Sequence, residues 1–494
     1  MISNNPSEER NRLTSTRQNA FIAVACALLA LLIGAAIADP VGARLALPIA
    51  LGFLLVAVAG RRPEAAVLGL VVARPIVDCF VQIQTFGFSL GQLWGGALVF
   101  CCAIYLLAPD SRERGVTPPI PWPPLVFLIA YPFLTVSHGD VALVLGGTVK
   151  LASWILLALV VERVCATPQG QALTLRAVML TAVSVVVAIA IVISQNRYGA
   201  SYYDSASRLD ATTQGPHQFA FMAVVAVFFM LATVLIRRDS FLPAMLAAVL
   251  CGELVLSFVR TVYVGVLPIL VVFLYLATRR LRARAIAVFL LLAVVASVAV
   301  YYSEGAILPR LQNLAFFGSS ATPTSSLGSG RIAIWGATLS SSFSTWTHAL
   351  FGQGVGASRD VIRQAIGVSV WAHSDLIELL LAGGILLVGA FATLIAWLFI
   401  STWRLAVDDR QSRLVRRWAI LAVSCIVGYF LMSLTNGVVF YQASVLMAVL
   451  IGLCRGMYLT PGQTVLDRIS TRSSHELRTA PAATPDNRPA SRSI

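Results

Sequence analysis

The chain has 494 residues, of which 58% are hydrophobic and 12% are charged, and its mean hydropathy is +0.83. Charged residues make up about a quarter of an ordinary soluble protein, so this composition excludes a soluble globular protein. The formal net charge is +14. Most of the 36 basic residues lie in short segments between apolar runs. This pattern is typical of the cytoplasmic loops of membrane proteins and argues against a nucleic-acid-binding surface.

The apolar runs are long enough to cross about 30 Å of hydrocarbon as helices. The sequence therefore predicts an all-α, polytopic transmembrane helical bundle of about 14 spans. The predicted spans are 20–38, 42–60, 64–82, 89–108, 120–137, 141–161, 174–195, 217–236, 241–258, 261–278, 285–302, 373–401, 418–435 and 439–456.

The distribution of basic residues predicts the orientation, because cytoplasmic loops carry the excess of arginine and lysine. Both termini are then cytoplasmic. The chain divides into a cytoplasmic tail (1–19), transmembrane helices 1–11 (20–302), a large periplasmic loop (303–372), transmembrane helices 12–14 (373–456) and a disordered cytoplasmic tail (457–494). Within the loop, the apolar spacing of Arg331–Ser342 predicts a helix, so we expect a small ordered subdomain there.

Four ionisable residues lie within predicted spans, where charge is costly. Arg74 and Asp78 are four residues apart, a spacing that allows them to pair on one helix. Lys150, the one lysine of the chain, is a possible partner for Glu253 across helices. These residues are expected to pair structurally, and the alternative is that they line a lipid or glycan cavity.

Polar residues concentrate at the predicted outer ends of the spans and in the large loop. They are Arg208, His217, Arg260, Arg331, Arg363, His373, Asp375 and Glu378. A basic outer segment departs from the usual charge distribution, and anion binding is the simplest reason for it. Arg260 lies at an apolar border, where an arginine either extends toward the interface or binds a ligand.

The predicted start of the twelfth span is rich in ionisable groups. Helical spacing places His373, Ile377 and Leu380 on one stripe, with Asp375 and Glu378 on a neighbouring stripe. This arrangement brings an imidazole near two carboxylates. The alternative interpretation is a polar helix end that meets headgroups and water.

Several motifs in this half of the chain form a pattern. Arg331 and Trp335 are four residues apart and are followed by THALFGQGVG (347–356) and HSDLIELLLAGG (373–384). TQGPHQFAF (213–221) and LSFVRTVYVGV (256–266) precede them. In order and spacing these motifs resemble the O-antigen ligase and polymerase superfamily of bacterial inner-membrane glycosyltransferases. The glycines of the GxGxG sequence predict a tight turn, because no βαβ unit surrounds them as in a dinucleotide site.

The resemblance implies a class C glycosyltransferase-like fold and an enzyme that acts at the periplasmic face of the cell inner membrane. The donor would be a glycan linked to undecaprenyl pyrophosphate, and the acceptor a sugar hydroxyl on a glycan or a lipid-linked glycan. A polymerase of exopolysaccharide or O-antigen and a ligase that attaches a finished chain to lipopolysaccharide share these motifs. No nucleic acid is expected as a partner.

Residue roles follow from this chemistry. Arg260 and Arg331 are predicted to stabilise the negative charge that grows on the leaving pyrophosphate. His373 is the third candidate catalytic residue, either as the base for the acceptor hydroxyl or as a further ligand of the pyrophosphate.

The supporting substrate-binding candidates are Arg208, His217, Arg363, Asp375 and Glu378. Glu378 is a second candidate base, and the alternative for it is a hydrogen bond to a neighbouring helix. We predict no cofactor and no metal, because guanidinium groups replace the divalent ion and no dense carboxylate cluster is present on the outer side.

Two other classes of function fit the composition. A lipid-linked glycan flippase or another polytopic transporter would also have many spans, but such proteins usually show internal repeats that this sequence lacks. A nonenzymatic membrane scaffold would not need Arg260, Arg331 and His373 at one depth.

Overall fold

The computed structural model describes residues 62–80, 84–85, 88–107, 121–136, 140–194, 198–201, 204–209, 216–236, 241–257, 260–277, 282–283, 286–287, 290, 331–367, 369, 371–437 and 443–459. These residues are predominantly α-helical. The helices before the large loop are α1 (Pro63–Asp78), α2 (Leu90–Leu107), α3 (Trp122–Thr135), α4 (Val141–Val164), α5 (Pro168–Ser194), α6 (Pro216–Ile236), α7 (Phe241–Ser257) and α8 (Arg260–Leu276). The loop and the following segments contain α9 (Arg331–Ser342), α10 (Trp346–Phe351), α11 (Ala357–Ile366), α12 (Asp375–Val407), α13 (Arg413–Thr435) and α14 (Ala443–Tyr458).

Two short antiparallel strand pairs accompany the helices. Strand β1 (Gln84–Thr85) pairs with β2 (Phe88–Ser89), and β3 (Tyr198–Ser201) pairs with β4 (Asp204–Leu209). With only two strands each, they are local hairpins and form no layer of their own.

The helices lie where the sequence predicts spans. A helix occupies every predicted span except 20–38 and 42–60, which lie outside the described residues, and 285–302, of which only a few residues are described. Among the described residues, five helical segments are long and apolar enough to cross a membrane: Leu90–Leu107, Val141–Val164, Pro168–Ile191, Asp375–Val407 and Arg413–Thr435. The chain is therefore a helical membrane protein, whereas the total of about 14 spans stays a prediction.

Helix α13 is the most enclosed of these five segments. It packs against α6, α8, α12 and α14. Its Trp418 side chain is fully buried, and the Trp418 ring lies 4.8 Å from the ring of Phe229 in α6. An aromatic pair of this kind fills the space between crossing helices with few polar atoms.

Helix α14 packs closely against α4 through two glycines. A methyl group added at Gly452 would lie 2.6 Å from the Ala158 carbonyl oxygen, and one added at Gly456 would overlap α4 in the same way. The two glycines form a GxxxG motif, which lets helix backbones approach each other in a bilayer. Beside it, the Arg455 guanidinium donates two hydrogen bonds to the Glu162 carboxylate, at 2.8 and 3.1 Å.

Helix α12 is kinked at Gly383–Gly384, where the backbone is not helical. The kink leaves the carbonyls of Leu381 and Ala382 without their helical partners. The backbone N–H groups of Gln353 and Gly354 donate to these two oxygens, at 2.6 and 3.0 Å. The large loop is therefore fastened to the membrane-spanning helix by backbone hydrogen bonds.

The fastening segment is the glycine-rich turn predicted from the GxGxG sequence. Gly352, Gly354 and Gly356 have φ angles of 75°, 92° and 91°, which favour glycine. A side chain at Gly352 would also meet the backbone of Ala382 at 2.5 Å. The tight turn is confirmed.

Residues 331–372 have a small core of their own. It contains Ile334, Ile362 and Ala372, with Trp335 and Ile377 packed against it. The predicted helix at Arg331–Ser342 is confirmed as α9, which contacts α11 and α12. Residues 303–330 of the predicted subdomain lie outside the described residues.

Candidate functional site

A cavity of about 840 Å³ lies between α1, α2, α4 and the start of α12. Ionisable side chains that line it are Arg74, Lys150, His373, Asp375 and Glu378. This volume is in the range of small-molecule binding sites. The acidic start of α12 and two basic residues of the predicted spans, Arg74 and Lys150, thus line the same cavity.

Arg74 and Asp78 form the ion pair that their spacing predicts. The Arg74 guanidinium contacts both Asp78 carboxylate oxygens, at 2.8 and 3.1 Å. The same guanidinium lies 4.2 Å from the ring centroid of Trp94, a cation–π distance. The Trp94 indole is held in turn by donating to the Leu70 carbonyl at 2.9 Å. Two contacts therefore fix the orientation of Arg74 at the cavity wall.

Lys150 lies in α4 and is exposed to the cavity. Arg74 lines the same cavity, so two positively charged side chains border it. The side chain of Glu253, its predicted partner, lies outside the described residues, so that pairing stays a prediction. Lys150 does line a cavity, as in the alternative prediction for these ionisable residues.

The predicted helical stripe that begins at His373 is wrong. Helix α12 begins at Asp375, and the hydroxyl of Ser374 caps it by accepting from the Ile377 N–H. A serine before an apolar run is a preferred N-cap, so the helix cannot include the preceding residue. His373 instead has a φ of 53° and lies outside the helix.

This conformation is unusual for a residue with a side chain. Among the described residues, His373 is the one non-glycine with positive φ. Such strain persists where the surroundings hold the backbone, and it concentrates at functional sites. The turn directs the chain so that His373 lines the cavity beside Asp375.

Ala372, the residue before His373, forms hydrogen bonds through both its carbonyl and its N–H. The Ala372 carbonyl accepts from the Trp335 indole N–H at 2.8 Å, and the Ala372 N–H donates to the Glu378 carboxylate. Ala372 itself is fully buried. Trp335 and Glu378 therefore position His373 through its neighbour.

The two carboxylates of α12 occupy its first turn. Asp375 is 1% exposed and Glu378 is partly buried, and both line the cavity. The buried hydroxyl of Ser358 lies beside the Glu378 carboxylate. Glu378 thus holds the loop backbone and faces the cavity, and its role as a base stays a prediction.

The other predicted site residues are described less completely. Arg260 and Arg331 are the first residues of α8 and α9, Arg208 lies in β4, and His217 lies in the first turn of α6. The side chains of these four lie outside the described residues, so their predicted meeting with His373 stays a prediction. Arg363 is exposed in α11 and pairs with Asp360 at 3.3 Å, and it is not among the cavity-lining residues.

Part of the cavity lining is polar and carries no net charge. It includes Gln92, Tyr131 and Trp371, which could not be predicted because nothing in their sequence context marks them. Arg74 and Lys150 carried a signal, because an ionisable residue inside an apolar span is a candidate functional residue. Within the described part of the chain, no three His, Cys, Asp or Glu residues are grouped as metal ligands.

A scan against models of known protein families gives no match for this chain, and neither does a search of the curated proteins. Its function is therefore inferred from the motifs and from the cavity.

Proposed function

We propose that the protein is a glycosyltransferase of the O-antigen ligase and polymerase type. It transfers a glycan from undecaprenyl pyrophosphate to a sugar hydroxyl, at the periplasmic face of the bacterial inner membrane. The observation that carries the proposal is the cavity, which is lined by His373, Asp375 and Glu378 and also by Arg74 and Lys150.

The depth of the cavity supports this site for a lipid-linked substrate. About twenty helical residues cross the hydrocarbon, and α12 has 33. Counting about twenty residues back from Arg404, at the predicted cytoplasmic end, reaches the Gly383–Gly384 kink. Asp375 and Glu378 then lie at or beyond the outer edge of the hydrocarbon, where the phosphates of a lipid carrier are located.

The acid–base groups support the transfer chemistry. Attack of the acceptor hydroxyl on the anomeric carbon forms the new glycosidic bond and breaks the bond to the pyrophosphate oxygen. The hydroxyl proton must then pass to a base within hydrogen-bond reach. His373 and Glu378 both line the cavity and are the two candidates.

The leaving group is assigned to Arg260 and Arg331, on the basis of the motifs that contain them. Guanidinium groups form paired hydrogen bonds with phosphate oxygens and keep their charge at all physiological pH values. Transfer should therefore not require a divalent metal. Loss of activity in EDTA that Mg²⁺ alone restores would contradict this assignment.

The arginines provide a direct test. Arg260→Ala or Arg331→Ala should lower transfer on the order of 10²-fold or more, as for the loss of one charge-stabilising donor. Arg404→Ala, an exposed arginine at the other end of α12, is the matched control. Wild-type polymer levels in both site variants would refute the roles of Arg260 and Arg331.

A deletion strain tests the activity as a whole and separates its two forms. Single repeat units on the lipid carrier should accumulate if the protein is a polymerase, and long carrier-linked chains if it is a ligase. An unchanged set of lipid-linked intermediates and of finished polysaccharide would contradict both.

A further inference from the structure

Exposed apolar side chains cluster around α10, in the loop that precedes α12. Trp346 is 71% exposed and Phe343 is 57% exposed, and Leu350 and Phe351 are exposed as well. Trp346 and Leu350 are four residues apart and therefore lie on one face of the helix. We call the surface of these four residues the α10 face. Large apolar side chains that are exposed together mark a contact with another molecule or with a membrane.

The contact of α10 with α12 fixes its height relative to the membrane. A methyl group added at Gly384 would lie 2.2 Å from the Leu350 carbonyl oxygen, so the end of α10 meets α12 at the Gly383–Gly384 kink. About twenty helical residues cross the hydrocarbon, and that count from Arg404, at the predicted cytoplasmic end, reaches the same kink. The end of α10 therefore lies at the outer edge of the hydrocarbon.

The α10 face adjoins a surface that lipid covers. Ile385 and Leu386 follow the kink in α12, and both are exposed. They belong to a helix that is long and apolar enough to cross a membrane, so their exposed side chains meet lipid. The backbone of Leu350 and Phe351 lies against Gly384, the residue before them. The exposed apolar residues of α10 and of α12 therefore meet at this contact.

The distribution of charge separates α10 from the helix that follows it. No aspartate, glutamate, lysine or arginine occurs between Arg331 and Arg359. Helix α11 instead has charged residues at exposed positions, namely Arg359, Asp360 and Arg363. Interfacial segments combine an apolar face with a charged one, and tryptophan is enriched where a membrane meets water. The uncharged α10 therefore suits lipid, and α11 suits water.

The polar side chains around α10 are hydrogen-bonded to one another. The Thr345 hydroxyl caps the helix by accepting from the His348 N–H at 3.2 Å. The Ser344 hydroxyl lies 3.0 Å from Nδ1 of His348, and the hydroxyls of Thr345 and Thr347 are 3.0 Å apart. Hydrogen-bonded polar groups cost less to remove from water than unpaired ones. These contacts therefore lower the cost of placing α10 in the interfacial region of a bilayer.

We propose that α10 is an interfacial helix and that the α10 face inserts into the outer leaflet of the bilayer. Part of the segment predicted as a periplasmic loop then lies in the membrane. Backbone hydrogen bonds from Gln353 and Gly354 join this segment to α12, so the bilayer supports the loop that leads to the cavity residues. The inference goes beyond the proposed function, because it depends on the membrane and not on the reaction.

A fluorescent probe at position 346 tests this placement. The full-length Trp346→Cys variant is labelled with the NBD fluorophore and reconstituted into nanodiscs of palmitoyl-oleoyl phosphatidylcholine. One quencher is a phosphatidylcholine with a nitroxide on its acyl chain, and the other is aqueous iodide. Gln364→Cys is the matched control, because Gln364 is exposed on the charged helix α11. Labelling of the unsubstituted protein measures the signal from native cysteines.

We expect the emission at position 346 to shift to shorter wavelength, to be quenched by the nitroxide lipid and to be protected from iodide. The probe at position 364 should show the opposite. Equal quenching of the two positions by either quencher would place them in the same environment and overturn the inference. Protection of position 346 from both quenchers would mean that a protein surface, such as a second copy of the chain, covers α10, and would overturn it as well.

Phe343→Cys repeats the measurement at a second residue of the α10 face and should behave as position 346 does. Both native side chains are exposed, so their replacement removes few protein contacts, and the unfolding midpoint checks the fold. Quenching of the probe at position 343 by iodide as strong as at position 364 would contradict insertion of the α10 face. Trp346→Phe keeps an apolar ring and should keep the lipid contact.

Discussion

Two ion pairs between an arginine and a carboxylate differ in what surrounds them. Glu162 and Arg455 join α4 to α14, and Arg455 also lies 4.6 Å from the ring centroid of Trp397. Arg74 and Asp78 belong to one helix, and Arg74 borders the cavity. The first pair joins two closely packed helices, at what we call the enclosed end, whereas the second lies within one helix and borders the cavity, at the cavity end. The Arg455 side chain is 19% exposed and the Arg74 side chain 9%.

The backbone shows the same contrast. At the enclosed end, Gly452 and Gly456 serve only to let two regular helices approach. At the cavity end, the helix is kinked at Gly383–Gly384 and His373 has a positive φ. Irregular backbone within membrane proteins is tolerated where it is buried in protein or lines a cavity. Here the kink is buried against the loop, and His373 lines the cavity.

The largest expected effect concerns His373. His373→Gly should lower transfer by about 10²- to 10⁴-fold, because the imidazole is lost as a base or ligand. The fold should be unharmed or more stable by up to about 1 kcal/mol, because glycine adopts a positive φ without steric cost. Transfer rates and thermal unfolding midpoints of the purified protein test both.

His373→Asn is the control, because asparagine also tolerates this backbone conformation. A glycine variant with wild-type transfer would show that His373 only shapes the turn. The cavity end would then be structural, like the enclosed end.

The second prediction compares the two ion pairs directly. Asp78→Ala should destabilise the protein by about 3–5 kcal/mol, because it leaves the buried Arg74 guanidinium without its carboxylate. Glu162→Ala should cost less, because the Arg455 side chain is 19% exposed against 9% for Arg74 and is more easily hydrated. Unfolding of both variants in the same detergent measures the difference.

The double variant Glu162→Ala/Arg455→Met should recover part of the lost stability, because it removes both charges. A smaller loss in Asp78→Ala than in Glu162→Ala would mean that water in the cavity hydrates Arg74. That result would contradict the expected order of the two losses.

The third prediction fills the cavity. Gly146→Leu should reduce transfer on the order of 10²-fold by displacing the substrate, as misplacement by about 1 Å is enough for such losses. A methyl group added at Gly146 meets no protein atom within 4 Å, and neither does one added at Gly389 in α12, which does not line the cavity. Gly389→Leu is therefore the matched control.

Both variants should fold equally well, as judged by their unfolding midpoints. Full transfer in Gly146→Leu would show that the substrate does not enter this part of the cavity. If both variants lost transfer equally, the cause would be the added side chain on a helix surface and not the filling of the cavity.

Local sequence was sufficient to predict the helices and the ion pair that lies within one helix. Arg74 and Asp78 are four residues apart, so their contact depends only on helical geometry. Glu162 and Arg455 are 293 residues apart, and their contact depends on the packing of α4 against α14. No local pattern contains that information.

Several residues of the candidate site could be predicted from the sequence, but their arrangement in space could not. His373, Asp375 and Glu378 were recognised from the motif, yet the helical stripe was wrong because Ser374 caps the helix. Lys150 was recognised as an unusual residue, but only the packing of four elements places it in the same cavity.

The smallest expected effect is that of Trp335→Phe, which tests how the loop positions the cavity residues. The variant removes the indole N–H that donates to the Ala372 carbonyl, at a cost of about 1 kcal/mol, or roughly fivefold in transfer. Trp346→Phe, at a position that is 71% exposed, is the matched control and should have wild-type transfer. Because Ala372 is the residue before His373, the loss should disappear in the His373→Gly background. If Trp335→Phe lowered transfer by the same factor in both backgrounds, the tryptophan would act on the protein independently of His373.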